Sequence, residues 1–144
     1  MVNQKLMQKL AKMALNMRKM AYVPYSHHRV GAALLCKDGR IYTGCNIENA
    51  AYTPSNCAER TAFFKAVSEG EKDFVCIAIA GGLEDREELD YCPPCGVCRQ
   101  VMREFCSPGE FDIILVKDME HMKTMKLSEL LPESFGPEFL QEKS

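Results

Sequence analysis

The sequence predicts an α/β fold in three layers, α/β/α, with helices covering both faces of a sheet of mixed strand direction. Three observations carry this. The stretches "RVGAALLC", "DG" and "RIYTGCN" read as an opening hairpin of two antiparallel strands. Two near-continuous apolar runs, "FVCIAIAG" and "FDIILV", have the β-branched composition of strands buried on both faces. Stretches with helical spacing separate the runs, so strands and helices alternate after the hairpin.

The elements follow in order. Leu6, Met7, Leu10, Met13, Ala14, Met17 and Ala21 recur at three- and four-residue steps, which gives a first helix one face to bury. The same segment carries Lys5, Lys9, Lys12, Arg18 and Lys19 without an acid, a pattern shared with organelle presequences. It runs into the domain without a cleavage-like break, so a docked helix is expected. Pro24 and Ser26 mark a turn. The hairpin strands span about 29–36 and about 40–45, joined by a two-residue turn at Asp38-Gly39 with positive φ angles. A helix over about 57–69 lacks proline and glycine and stops at Gly70. The acidic "LEDREELD" is expected to be a solvated loop, "CGVCRQVMREF" a second core helix, and "FDIILV" the next strand.

With 144 residues, 26% charged and 47% apolar, the chain suits one soluble domain over 1–144 with a single core. A net charge of −2, no tryptophan and no clear basic stripe argue against a groove for polynucleotides. No apolar run approaches a membrane span, and a cytoplasmic location is expected. Eight cysteines, at 36, 45, 57, 76, 92, 95, 98 and 106, then divide by surroundings rather than pair as disulfides. Cys36, Cys45, Cys76 and Cys106 lie in or beside apolar stretches and are assigned to packing.

The remaining cysteines point to chemistry. A C-x-x-C pair alone is ambiguous between redox and metal roles. Cys95 and Cys98 share one helical face, and Cys57, at another helix start, is the available third partner. Three protein ligands leave a tetrahedral metal one open position, the mark of a catalytic site, and soft sulfur ligands select zinc over magnesium or calcium. Three thiolates overcompensate the ion's charge, so electron donation must be weakened for a bound water to ionise. Two helix N-termini and a guanidinium, Arg60 or Arg99, can do this, with Arg60 preferred. Glu59 reaches the metal only if Cys57 lies in the cap region of its helix, which Asn56 as N-cap would allow. Asn56 and Glu59 also have the spacing of a plain capping box.

"CAERTA" with "PCGVCRQ" resembles the paired zinc motifs of the cytidine deaminase family in its small, three-cysteine form. The likeness extends through "YVPYS", "VGAALL", "GCNIENA", "KAVSEG" and "ELLPESFGPE", most of the chain. It implies a three-layer fold with about five strands, one more than the four named above. It implies hydrolytic deamination of cytidine and deoxycytidine in pyrimidine salvage, by attack of zinc-generated hydroxide at C4 with Glu59 as proton shuttle. Cys57, Cys95 and Cys98 become the ligands of one zinc per subunit. Asn46 and Glu48 would grip the ribose, and Ala58 would read the base edge. The small members are homotetramers with shared sites, a role that maps to Tyr52 and Phe135.

Two positions depart from the family pattern. His28 stands where an aromatic, most often phenylalanine, stacks on the pyrimidine; a histidine can stack and also hydrogen-bond. The loop before Pro94 is longer than usual and adds Cys92, taken as a bystander. The competing readings are a deaminase of another aminopyrimidine nucleoside, blasticidin-like in kind, and a zinc-stabilised binding module without turnover. The module would have no need of Glu59.

Overall fold

Residues 2–141 are described by a computed structural model. Its sheet contains β1 (His28–Cys36), β2 (Ile41–Cys45), β3 (Phe74–Leu83), β4 (Asp112–Val116) and β5 (Met122–Lys126). They lie in the order β2-β1-β3-β4-β5. Only β3 and β4 run parallel; the other neighbours are antiparallel, giving the mixed sheet the sequence predicts. A parallel pair needs a crossover, and here it is helical.

The periodicity of β3 explains the layers. Its residues alternate between two apolar clusters and are buried on both sides. On one side, α1 (Gln4–Met17) buries Leu10, Ala11 and Ala14 against Ala33, Ala78 and Ala80. On the other, α2 (Ala58–Ser68) and α3 (Gly96–Phe105) pack Ala62, Phe63, Ala66 and Met102 over Leu34, Ile77, Ile79 and Ile113. The docked first helix is therefore present, capped by Asn3, whose Oδ1 accepts from Leu6 N at 2.8 Å.

The helices approach the sheet closely because glycines face them. A Cβ at Gly44 would sit 2.4 Å from Ala58 O and 2.6 Å from Ala62 N. Both are helix backbone and cannot rotate away. Gly44→Ala is expected to push α2 off β2 and destabilise the protein by about 1–3 kcal/mol, read as a lower Tm. Since α2 begins beside Cys57, bound zinc should fall as well.

The structure corrects three local expectations and supplies the fifth strand. The hairpin loop has three residues, not two: Cys36 N donates to Arg40 O, Gly39 N donates to Cys36 O, and only Gly39 has positive φ. This is a type I turn followed by a left-handed glycine, which spares Asp38 the strained conformation. The N-cap of α2 is Cys57, not Asn56, whose amide instead donates to Thr61 Oγ1. The fifth strand is β5, which leads into α4 (Leu127–Leu130) with Leu127 fully buried. Within the acidic loop, Leu89 is buried with the α1 cluster and lies against the position a Cβ of Gly82 would occupy. The loop is thus tethered rather than wholly solvated.

Candidate metal and active site

Cys57 and Cys95 occupy equivalent places, as N-caps with extended backbone at the starts of α2 and α3. Each carbonyl already accepts the first helical bond, from Thr61 N and Arg99 N respectively. Their side chains therefore project where unpaired N–H groups and the positive helix ends converge. Cys98, at the third position of α3, turns toward the same point, and its backbone N donates to Cys95 Sγ at 3.5 Å.

The three sulfurs form a cluster. Cys57 Sγ lies 3.8 Å from Cys95 Sγ, and Cys95 Sγ lies 3.4 Å from Cys98 Sγ. All three Sγ atoms fall within 4.8 Å of one another. Zinc–sulfur bonds of about 2.3 Å in a tetrahedron require sulfur separations of roughly 3.8 Å, so the set fits zinc. Cys92 stands outside the cluster.

Electrostatics favour an ionised Cys57. Arg60 Nη2 donates to Cys57 Sγ at 3.2 Å, while its Nε is buried without a partner. Arg99 is occupied elsewhere, donating to Pro94 O and Leu130 O, each at 2.8 Å. A hydrogen bond from the Cys98 thiol, together with Arg60, pulls the Cys57 thiol down to about 5. The same sharing, with burial, raises Cys98. A coordinated cation removes this competition by displacing the protons. The packing cysteines behave oppositely: burial pushes Cys36 up to about 11 and Cys76 up to about 12. Those two, with Cys45 and Cys106, are buried as expected.

Glu59 is the second residue of α2 and only 4% exposed. Burial, with a further push from the neighbouring Cys57 charge, raises its carboxyl to about 7. A carboxyl at that value both takes and returns a proton near neutrality. A capping box does not form, because the cap lies one residue later and makes no side-chain bond.

The remaining candidates lie at the start of α2, around the start of β1, and at the exposed Tyr52 and Phe135. Ala58 is fully buried at the first position of α2. His28 opens β1 and lines a cavity of about 300 Å³ with Gly81, Cys92 and Pro93. Asn46 and Glu48 both contact protein. Asn46 Nδ2 donates to His28 O at 2.7 Å and its Oδ1 accepts from Val30 N at 2.9 Å. Glu48 accepts from Tyr25 N at 3.0 Å, Ser26 N at 3.1 Å and the Ser26 hydroxyl. They hold the entry to β1, and Glu48 also borders a cavity of about 340 Å³ with Tyr25, Ser26, Tyr52 and Ser55. Tyr52 is 71% exposed and Phe135 55% exposed, the latter stacked on Phe139 rather than anchored in the core. Sequence reasoning missed Tyr25 and Ser26 as partners of Glu48; the "PYS" turn preceding β1 is the only local signal.

A three-sulfur centre at two converging helix ends, with a buried carboxyl beside it, defines a zinc-dependent hydrolytic enzyme. Residues 4–110 match the model of the cytidine and deoxycytidylate deaminase zinc-binding region, and the chain belongs to that family. The cytidine deaminase of Sporosarcina psychrophila is 49% identical over 123 residues, covering 85% of this chain and 86% of that protein. That of Halalkalibacterium halodurans is 49% identical over 131 residues, covering 91% and 95%. The crystal structure of cytidine deaminase from Burkholderia pseudomallei aligns with a TM-score of 0.79 at 40% identity, covering 88% of this chain and 97% of that one.

Proposed function

We propose that the chain, as one domain, hydrolyses cytidine and deoxycytidine to uridine and deoxyuridine with release of ammonia. The observation that carries this is Glu59, buried beside three clustered sulfurs in a chain 49% identical to cytidine deaminases over most of its length. Cys57, Cys95 and Cys98 hold zinc, one per subunit; when bound, the ion supplies a Lewis-acidic position that makes water nucleophilic near neutral pH. Glu59 accepts one proton of the attacking water and delivers it to ring N3, then takes the remaining proton of the hydroxyl added at C4 and passes it to the departing amine as the C4–N bond breaks. Arg60 draws charge from Cys57 and keeps the sulfur set from quenching the ion. Ala58 reads the base edge from the start of α2, and Asn46 and Glu48 shape the ribose side. Loss of cytidine absorbance, with zinc measured per chain, tests the reading; metal-loaded protein without ammonia release favours the non-catalytic module. Comparison with blasticidin-like substrates tests the narrower alternative.

His28 supports the base face. A phenylalanine stacks as well and needs no solvated nitrogens. His28→Phe is expected to keep or improve kcat/KM for cytidine, and a large loss would give the imidazole a specific role. We further infer a homotetramer with shared sites, supported by the exposure of Tyr52, Phe135, Phe139 and Leu140. Sedimentation tests it. Eight free thiols, half of them buried packing residues, support a reducing, cytoplasmic setting. Among the described residues no helix is long and apolar enough to cross a membrane.

A further inference from the structure

The residue before His28 is backbone-strained. His27 has φ 57, the left-handed region, which is disfavoured about five- to thirtyfold for a residue with a Cβ. Such a conformation persists only where surrounding structure holds it. His27 N donates to Val23 O at 3.0 Å, and Glu84 supplies the other contacts, on the carbonyl and on the side chain. Glu84 N donates to His27 O at 2.8 Å, and His27 Nδ1 lies 2.9 Å from Glu84 Oε1. The second carboxylate oxygen accepts from Arg29 Nε at 2.9 Å, so the acid brackets His28 from both sides in sequence. Arg29 is itself fixed: its Nη1 donates to Ala21 O at 2.8 Å, and its carbonyl accepts from Arg18 Nε at 2.9 Å. Glu84 is also the first residue after β3 and opens the long loop that leads to Cys95.

We propose that Glu84 is a positioning residue for the base side of the site, clamping His27 in its left-handed bend so that His28 meets the pyrimidine. The inference rests on the functional reading above. Without the clamp, only a fraction of molecules present His28 correctly, and apparent affinity falls by that fraction. Chemistry after binding is unaffected, so the loss appears in KM and not in kcat. A glycine at 27 adopts the bend without steric cost and makes the clamp unnecessary.

Steady-state kinetics on cytidine with zinc-loaded parent, E84A, E84Q, H27G and H27G/E84A decide the matter, with Tm recorded for each. E84A is expected to raise KM by about fivefold at constant kcat. Both variants keep the backbone donor; E84Q, which also keeps the side-chain shape, shifts KM the same way by less and serves if E84A folds poorly. H27G stays close to the parent, and H27G/E84A returns KM toward it. An unchanged KM in both Glu84 variants, or a defect that H27G fails to relieve, overturns the proposal. A parent that releases no ammonia from cytidine overturns the functional reading, and this inference with it; an active parent isolates the clamp.

Discussion

Glu59→Ala is expected to abolish ammonia release while leaving the fold and the zinc content of the protein intact. The side chain is buried, and the charges nearest it are Arg60 and the sulfur of Cys57. A carboxyl in such a place costs stability rather than adding it, so its removal should hold or raise Tm. Catalysis is another matter. General acid–base groups contribute about 10²–10⁴-fold, and this one is asked to act in two successive proton transfers, so the loss should reach at least the upper end. Ammonia release and zinc per chain, measured on the same preparation, check both halves. E59A with the parent's turnover would remove the proposed proton shuttle altogether.

Chelation of the metal is expected to have the second large effect, reversible loss of activity with a fall in Tm. Binding free energy at a site absent from the unfolded chain is folding free energy. The fall should exceed that of a typical point substitution, because three sulfurs crowded without a cation must share protons instead. Added zinc restores both. Cys98→Ser is expected to lower zinc content for the same reason, its sulfur being buried in the cluster. Cys92→Ser should leave zinc at the parent's level, since Cys92 lies outside that cluster. Full activity in a metal-free preparation would dismantle the assignment.

What could be read from the chain was local. The candidate sulfur ligands stand out because Cys57 and the Cys95/Cys98 pair lie at helix starts, which carry their own spacing and stop signals. The buried strands β3 and β4 stand out because both faces are apolar. β5 does not: "MKTMK" mixes lysine with methionine, as suits a sheet edge, and only its pairing with β4 makes it a strand. Asn56 is the better N-cap by residue type, yet Cys57 holds the position, because the backbone of Asn56 is engaged in a two-way bridge with Ile47. Leu89 looked like part of a charged loop; its burial depends on a glycine seven residues earlier in β3. The His27–Glu84 contact joins residues 57 apart and has no signature in either neighbourhood.

The separation of the sulfurs along the chain has a mechanical consequence. Cys57 and Cys95 are 38 residues apart, and the intervening segment includes all of α2 and β3. A cation gripped at both ends acts as a cross-link that closes this loop, much as a covalent bridge would, and closure entropy is paid once at loading rather than at every opening. The unloaded chain must hold α2 and α3 together through side-chain packing and the weak hydrogen bonds shared among the thiols. Their shared end is therefore the place where hydrogen exchange should quicken first when the ion leaves, well before the sheet itself gives way.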